Sequence, residues 1–255
     1  MKNVSAKKYL GQHFLIDENI AKKIGESLVQ SEQYVNILEV GPGMGVMTKY
    51  IREKYASHDF RLIEIDKESV AYLGAKFPLL KVYNDDFLKL DFKKIFKGEF
   101  AVIGNYPYNI SSQIVFKVID NRERIPEMSG MFQKEVAERI CEKPGTKSYG
   151  VISVLTQAFY DCEYLFTVSE NVFNPPPKVK SGVVRLLRKE HPISCNYGEF
   201  KQIVKTAFNQ RRKMLRKSLK PLFETETLTK EIFTKRPEHL SVDDFVSLLI
   251  LKNKK

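Results

Sequence analysis

The chain has 255 residues, 43% of them hydrophobic, and a formal net charge of +11 at pH 7. A chain of this length buries one substantial core and leaves residues for a small second unit. It contains nothing near the roughly 18 uninterrupted apolar residues of a membrane helix, and its N-terminal residues lack the apolar region of a signal peptide. We therefore expect a monomeric cytoplasmic protein whose positive charge favours a polyanionic partner.

Four short β-branched segments alternate with helix-like segments in the first part of the chain. They cover residues 35–41, 60–66, 80–86 and 100–105. Strands that alternate with helices predict right-handed βαβ units, and hence a parallel sheet with helices on both faces. Ligands of such open sheets bind beyond the carboxyl ends of the strands, so the residues that follow these segments are the first candidates for a site.

The later part of the chain changes character after Lys189. Helices are predicted at 134–143 and 149–160, strands at 164–173 and 181–189, a linker at 190–198, and helical segments at 199–222, near 228–235, and from Ser241 as N-cap. We predict an α/β domain at 1–189 and a small helical domain at 190–255.

Cysteine and histidine residues give no sign of a metal site. The three cysteines and four histidines are widely separated, with no C-x-x-C pair; they are Cys141, Cys162, Cys195, His13, His58, His191 and His239. Neither a disulfide framework nor a zinc site is indicated, and we expect no metal.

A glycine turn, EVGPGMG at 39–45, follows the first predicted strand. Glycine allows a tight turn and lets backbone N–H groups approach a ligand, which makes Gly41 and Gly43 candidates for cofactor contact. The spacing G-x-G-x-G differs from the G-x-G-x-x-G of NAD enzymes, and no phosphate-binding lysine follows it as in a P-loop. A glycine turn without a ligand is the alternative.

Two acidic residues stand at the next two strand ends, Glu64 and Asp86. A carboxylate at the second strand end matches the two vicinal hydroxyls of a ribose, and Asp86 is placed to accept from an adenine amino group. Together with the glycine turn they predict an adenosine bound without a pyrophosphate, which indicates S-adenosylmethionine as cofactor. Either acid alone is equally typical of a solvated strand end.

The segment VIGNYPYNIS, residues 102–111, follows the fourth strand beside this pocket. The exocyclic amine of adenine is a weak nucleophile, because its lone pair is delocalised into the ring. We predict that the Asn105 side-chain oxygen and the Tyr106 carbonyl accept its two N–H bonds, while Pro107 fixes the turn and Tyr108 stacks on the base. A proline turn with two core tyrosines is the alternative.

A base in folded RNA must be extruded to reach such a pocket, and extruded bases are clamped between flat side chains. Phe173, just before NPPPKVK, is a candidate for the second face, with a core phenylalanine as the equal alternative. Lys178 in that segment is a candidate for RNA contact.

A basic segment lies at 201–220, with eight basic residues and no acidic ones. Phe208, Met214, Leu215 and Leu219 recur in it at roughly helical spacing, so one face packs and another is cationic. Such a face binds phosphates with strong salt dependence, whereas an ordinary solvated helix face is the alternative. The predicted RNA-binding residues here are Arg211, Arg212, Lys213, Arg216 and Lys217.

These motifs together resemble the small-subunit ribosomal RNA adenine dimethyltransferases, the KsgA or RsmA type. The resemblance runs from end to end through AKKYLGQHFLID, LEVGPGMGVMT, LIEID, NDDF, GNYPYNIS, QKEVAERI, FNPPPKVKSGVVRL and AFNQRRKMLRKSL. It implies a Rossmann-like class I S-adenosylmethionine-dependent methyltransferase domain with a small C-terminal α-helical domain. It also implies that His13 and Leu15, in a first segment that closes over the cofactor, join Gly41, Gly43, Glu64, Asp86 and Asn105 as cofactor contacts.

The family's acceptors are two adjacent adenosines in the terminal hairpin loop of small-subunit 16S rRNA, each methylated twice at N6. This chain departs from the family pattern at His13, where Asn is frequent, and at Tyr106, where Leu or Ile is usual. We expect Tyr106 to contribute chiefly its backbone carbonyl to the chemistry, with a ring large enough to narrow the pocket.

Other functions fit parts of the pattern. Related enzymes methylate an adenosine of large-subunit rRNA or adenine in DNA. A non-catalytic ribosome-assembly factor on the same fold is a further alternative, against which the intact Glu64, Asp86 and Asn105 argue. Methylation of a protein glutamine through a similar Asn-Pro turn fits the basic segment poorly.

Overall fold

The structure is a computed structural model that describes residues 4–253. Its strands are β1 Phe14–Leu15, β2 Asn36–Val40, β3 Asp59–Glu64, β4 Lys81–Asn84, β5 Phe100–Asn105, β6 Glu127–Gln133, β7 Tyr160–Val168, β8 Phe173–Asn174 and β9 Ser181–Arg188. Its α-helices are α1 Glu18–Gly25, α2 Thr48–Lys54, α3 Lys67–Lys76, α4 Ser111–Asp120, α5 Lys134–Cys141, α6 Val151–Gln157, α7 Tyr197–Asn209, α8 Leu215–Ser218 and α9 Val242–Asn253.

The main sheet has seven strands in the order β4-β3-β2-β5-β6-β9-β7. Pairs β4–β3, β3–β2, β2–β5 and β5–β6 are parallel, whereas β9 runs antiparallel to β6. The predicted mostly parallel α/β fold is therefore confirmed. The chain leaves β2 toward β3 on one side and returns as β5 on the other, so the carboxyl ends of β2 and β5 border the crevice where such sheets bind ligands.

The central strands are apolar because both faces of the sheet are covered. Ile37 and Leu38 in β2, and Val102 and Ile103 in β5, are fully buried. Some helices begin at a residue whose side chain caps them. The Asp66 side chain accepts from the Glu68 amide at the start of α3, as expected for an N-cap residue.

Contacts divide the chain into two compact units. The first contains residues up to Ala137 and the segment Cys162–Arg188, and the second contains Glu138–Asp161 and the chain from Lys189 onward. The domain prediction had placed 138–161 in the first domain. Within the second unit, the Gly145 amide donates to the Glu238 carbonyl at 2.7 Å, so this segment packs with the C-terminal residues.

The second unit has an apolar core of its own. Phe200, Ile203 and Val204 of α7 and Phe245 and Leu248 of α9 are fully buried in it. The last helix begins as predicted, because the Asp244 amide donates to Ser241 Oγ at 3.1 Å.

The prediction that residues 199–222 are helical throughout is wrong. Helix α7 ends at Asn209, Met214 is extended, and α8 is a single turn. The physical reason is a long-range hydrogen bond, since the Leu215 amide donates to the Lys235 carbonyl at 2.9 Å instead of continuing a helix. Similarly, the strand predicted at 164–173 ends at Val168, and Phe173 belongs to the separate strand β8.

Candidate active site

A cavity of about 310 Å³ lies at the carboxyl ends of β2 and β5, in the first unit. The glycine turn, the loop after β5 and the arm that leads into β1 line it. Of the residues predicted to contact the cofactor, His13, Leu15, Gly41, Gly43, Glu64 and Asn105 line this cavity. Its volume lies in the usual range for small-molecule sites.

The glycine turn after β2 requires glycine for two reasons. Gly41 and Gly43 have φ of +67° and +55°, a backbone conformation that other residues rarely adopt. A Cβ at Gly43 would also lie 2.9 Å from the Phe14 ring, whereas one at Gly41 would make only an ordinary contact, 3.7 Å from the Asn105 carbonyl oxygen. The absent side chain at Gly43 therefore lets the Phe14 ring approach this backbone.

The Glu64 carboxylate is 4% exposed and is fixed by two backbone donors. Oε2 accepts from the Gly43 amide at 3.0 Å, and Oε1 accepts from the Asp66 amide at 2.9 Å. Burial raises the pKa of this carboxyl, although the backbone donors act against the rise. Each oxygen keeps a further lone pair for a ligand hydroxyl, as a ribose diol requires.

Asp86 does not line the cavity. Strand β4 ends at Asn84, and Asp86 Oδ1 accepts from the Leu88 amide at 2.9 Å, inside the turn that follows the strand. Its side chain also lies 3.8 Å from Lys89 Nζ. The structure thus gives Asp86 a local turn-forming role and does not bring it to the site with Glu64.

Glu39 is a site residue that sequence reasoning missed. It lines the cavity, is 1% exposed, and accepts from Thr48 Oγ1 at 2.7 Å. Burial raises its pKa to about 8, and the nearby charge of Glu64 adds to the rise. The available signal was an acid inside the otherwise apolar strand NILEV, where an ionisable group is rare unless it has a function.

The N-terminal arm, residues 7–15, is anchored at both ends. Strand β1 pairs antiparallel with β8, with Phe14 opposite Asn174 and Leu15 opposite Phe173. At the other end, Lys7 Nζ forms an ion pair with the buried Asp66 carboxylate. Burial acts to raise the pKa of Asp66, but the hydrogen bonds from Lys7 and Ser69 outweigh it and hold this pKa below its usual range.

The loop after β5 is rigidly held. The Tyr106 amide donates to the Met131 carbonyl at 3.0 Å, the Ile110 amide donates to the Pro107 carbonyl at 3.2 Å, and Ser111 Oγ donates to the Tyr108 carbonyl at 2.9 Å. Asn105, Tyr106, Pro107 and Tyr108 all line the cavity. Pre-positioned groups of this kind lose little entropy when a substrate binds.

The Tyr106 ring is buried and does not narrow the cavity, although its size allowed for that. It is 1% exposed, and its hydroxyl donates to the Ser129 carbonyl at 2.8 Å. The ring lies where Gly104 and Gly130 have no side chain, since a Cβ at Gly130 would be 2.5 Å from it. The aromatic ring therefore packs beneath the loop, and its backbone faces the cavity.

Tyr108 and His13 lie together at the mouth of the site. Their ring centroids are 5.5 Å apart with an interplanar angle of 27°, and both residues line the cavity. The Tyr108 hydroxyl also forms a short hydrogen bond with Ser181 Oγ. The predicted stacking residue is thus at the site, but its partner ring in this structure is His13.

Phe173 is not available to stack on the second face of the base. It is 3% exposed and belongs to the apolar core formed by β1, β8 and the neighbouring helices. Its position opposite Leu15 in the β1–β8 pair turns the ring inward. The core alternative is the one that the structure shows.

The predicted RNA-binding side chains of the second unit are mostly exposed. Arg212, Lys213, Arg216 and Lys217 are solvent-accessible, whereas Arg211 is half-buried and donates to the Thr146 carbonyl at 3.0 Å. Lys178, in the first unit, is exposed.

Among residues 4–253, no cluster of three or more His, Cys, Asp or Glu side chains could hold a metal ion. No helix in the same range is long and apolar enough to cross a membrane.

The strand order and the position of the cavity are those of class I S-adenosylmethionine-dependent methyltransferases. A dimethyladenosine transferase from Plasmodium falciparum superposes with a TM-score of 0.81 at 26% identity, over 95% of this chain and 98% of that one. The 23S rRNA methyltransferase ErmE has a TM-score of 0.68 at 24% identity, over 93% and 99% of the chains, and supports the fold alone.

The chain belongs to the ribosomal RNA adenine dimethylase family, whose sequence model matches residues 3–254. Proteins named ribosomal RNA small subunit methyltransferase A from Flavobacterium johnsoniae and Parabacteroides distasonis are 58% and 54% identical to it. The alignments cover 97% and 100% of this chain and 96% of each relative. The protein is accordingly an rRNA adenine dimethyltransferase that uses S-adenosylmethionine. The glycine turn and the buried Glu64 carboxylate fit that cofactor.

Proposed function

We propose that this enzyme methylates N6 of two adjacent adenosines in the 3′-terminal hairpin loop of small-subunit 16S rRNA, twice each, during assembly of the 30S subunit. The relatives that carry the small-subunit name support the choice of rRNA. The observation that carries the chemistry is the fixed orientation of Asn105. Its Nδ2 donates to the His13 carbonyl at 3.2 Å, which leaves Oδ1 as the free acceptor of the amide.

The two acceptors for the adenine amine are Asn105 Oδ1 and the Tyr106 carbonyl. Accepting both N–H bonds favours a pyramidal amine and directs its lone pair toward the methyl donor. Bound S-adenosylmethionine supplies a methyl group on a cationic sulfur. The reaction forms an N6–C bond and breaks a C–S bond, and the amine then loses a proton to water, so no strong general base is needed.

The second methylation uses a different arrangement. A monomethylated amine has one N–H left, so only one of the two acceptors is occupied. The rigid loop, held by Met131 and Ser111, keeps the other acceptor in place without a partner. We therefore expect the second methyl transfer to be slower than the first at each adenosine.

In the proposed cofactor site, the Glu64 carboxylate accepts from the ribose hydroxyls. Gly41 and Gly43 allow the backbone to approach the ligand closely. His13 and Leu15 cover the ligand from the arm. Asp86 is a weaker candidate, because its side chain turns away from the cavity. Glu39 lies beside this site as an additional acid.

RNA binding is assigned to Arg211, Arg212, Lys213, Arg216 and Lys217 in the second unit and to Lys178 in the first. Exposed cations bind the phosphate backbone with little dependence on sequence, so the choice of adenosine falls to the cavity. We further propose that the enzyme works as a cytoplasmic monomer, which sedimentation of the purified protein alone and with subunits would test.

Methyl transfer to unmethylated small ribosomal subunits tests the proposal. Large subunits, naked rRNA and DNA serve as parallel substrates, and N6,N6-dimethyladenosine is located by mass spectrometry. Dimethylation of adjacent adenosines in small subunits is the expected result. Transfer confined to large subunits or DNA would overturn the choice of substrate, and cofactor binding without transfer anywhere would favour a non-catalytic assembly factor.

A further inference from the structure

The ring of His13 stacks against the ring of Tyr108, which is the residue proposed to stack on the target base. The centroids of His13 and Tyr108 are 5.5 Å apart, and the planes are inclined by 27°. A base held between two flat rings needs a contact of about 3.5 Å on each side, or about 7 Å between the rings. A base stacked face to face on Tyr108 therefore cannot share that face with the imidazole while His13 keeps this position.

We propose that the His13 imidazole covers the stacking face of Tyr108 in the RNA-free enzyme, and that the target adenine binds by displacing it. This inference rests on the proposed role of Tyr108 as the base-stacking residue. The imidazole then acts as an internal competitor, which lowers the affinity for every base that must displace it by the same factor.

The His13 ring is held by one specific hydrogen bond. Nδ1 lies 2.8 Å from the Pro175 carbonyl oxygen, just after β8, so Nδ1 carries the proton and donates. Displacement therefore costs one hydrogen bond and one aromatic contact. Both are modest interactions that a stacked purine with two accepted N–H bonds can replace.

The backbone of His13 has a separate task. Its carbonyl oxygen accepts from Asn105 Nδ2 at 3.2 Å. Rotation about the His13 side-chain bonds moves the ring and leaves this carbonyl in place. The ring can therefore leave Tyr108 without disturbing the orientation of the Asn105 amide, and substitution of the side chain separates the two tasks.

The test measures stacking of the base directly. An RNA copy of the terminal hairpin carries 2-aminopurine at the first target position, and quenching of its fluorescence reports stacking in the cofactor-free protein. Variants H13A and H13N remove the ring, and H13N keeps an amide that can donate to the Pro175 carbonyl. We expect the stacked complex to form roughly five- to tenfold more tightly in both variants, since the competing stacked state is removed.

A hairpin with an abasic target position should bind the His13 variants and the wild type equally, since it stacks no base on Tyr108. Y9A is the matched control, because Tyr9 is an arm residue that is 77% exposed. It should leave quenching unchanged. Thermal unfolding confirms that each variant is folded.

A double-mutant cycle with Y108L separates the inference from the proposed function. If Tyr108 stacks on the base and His13 covers it, Y108L weakens quenching and abolishes the gain from H13A. If Y108L weakens quenching but H13A and H13N give no gain, the covering role of His13 is overturned and the function of Tyr108 stands. If Y108L has no effect on quenching, the role of Tyr108 itself fails, and the inference fails with it.

Discussion

The side-chain nitrogen of Asn105 lies 3.2 Å from the backbone carbonyl oxygen of His13, 92 residues earlier in the chain. This contact joins the loop after β5 to the N-terminal arm. An amide that donates from Nδ2 must present Oδ1 on its other side, so the arm sets which atom of Asn105 faces a substrate. The position of the arm and the orientation of the Asn105 acceptor oxygen therefore depend on each other.

Replacement of Asn105 should separate chemistry from binding. In N105A the acceptor is lost, and we expect single-turnover methyl transfer at saturating cofactor to fall by about 10²- to 10⁴-fold. N105D keeps acceptor atoms but loses the donor to His13, so its rate should lie between those of N105A and the wild type. Small-subunit binding should persist in both variants. Near-normal turnover of N105A would remove Asn105 from the mechanism.

Buried Glu39 should make stability depend on pH. Its pKa is about 8 in the folded protein against an ordinary value of 4.5, so the folded state binds more protons between these values. The free energy of unfolding therefore falls as the pH rises through this window, by about 2 kcal/mol between pH 6 and 8 for this one group. Urea denaturation at both pH values measures the fall.

The variant E39Q should make that fall smaller, because a neutral amide still accepts from Thr48 and does not titrate. Some dependence should remain, since burial also raises the pKa of Glu64 and acts in the same direction. E53Q, at an exposed position on α2, is the control and should keep the wild-type slope. Equal slopes for E39Q and wild type would contradict the burial argument.

The ion pair between Lys7 and Asp66 should support cofactor binding through the arm. K7M removes the cation that holds the arm against α3, and leaves a buried carboxylate with a side-chain exposure of 2%. If only about one tenth of the molecules then have the arm in its closed position, the apparent Kd for the cofactor rises about tenfold. Titration calorimetry measures this change, and limited proteolysis should cut the arm sooner. K8M, at the exposed neighbour, should behave as wild type in both assays.

The Tyr106 ring should contribute to stability more than to the shape of the cavity. Y106F loses the hydrogen bond to the Ser129 carbonyl and should cost about 1 to 3 kcal/mol of unfolding free energy. Y106L, which restores the usual family residue, should cost about 2 to 5 kcal/mol, because it leaves a void beside Gly130. Cofactor affinity should change little in Y106F. If Y106L is as stable as wild type, the ring does not fill the space seen here.

The cationic face of the second unit should control the salt dependence of RNA binding. Combined replacement of Arg212, Lys213 and Arg216 by alanine should weaken small-subunit binding and reduce the slope of log Kobs against log salt by about 2 to 3. Arg211 is left intact, because it also donates to the Thr146 carbonyl and its loss would disturb the fold of the second unit. The control replaces the exposed Lys93, Lys94 and Lys97 of the first unit. An equal loss of slope in that control would show a general charge effect.

Local signals predicted much of this structure. The strand Phe100–Asn105 and the N-cap Ser241 agree with the sequence prediction, because each depends on residues close in the chain. The break in the helix at 210–214 was not predictable in this way. It depends on the Lys235 carbonyl, which lies 20 residues beyond Leu215 and leaves no trace in the local pattern.

The same distinction holds within the site. Gly41 and Gly43 lie in the turn after β2 and Glu64 is the last residue of β3, so their place beside the cavity follows from the local pattern. The inward position of Phe173 results from pairing with Leu15, and the buried ring of Tyr106 results from missing side chains at Gly104 and Gly130. Both are relationships between distant segments. Asp86 shows the limit of a local pattern, since a strand-end acid also forms ordinary turns, and its role in the cofactor site stays a prediction.

The pairing of β1 with β8 has a consequence for the newly made chain. Residues 14 and 15 leave the ribosome about 160 residues before their partners at positions 173 and 174. Until those partners emerge, the arm has no strand to join, and the Pro175 carbonyl that holds His13 is absent. A product that stops before β8 therefore carries the glycine turn, Glu39 and Glu64 without a finished site, and catalytic competence arises only once β8 has been made.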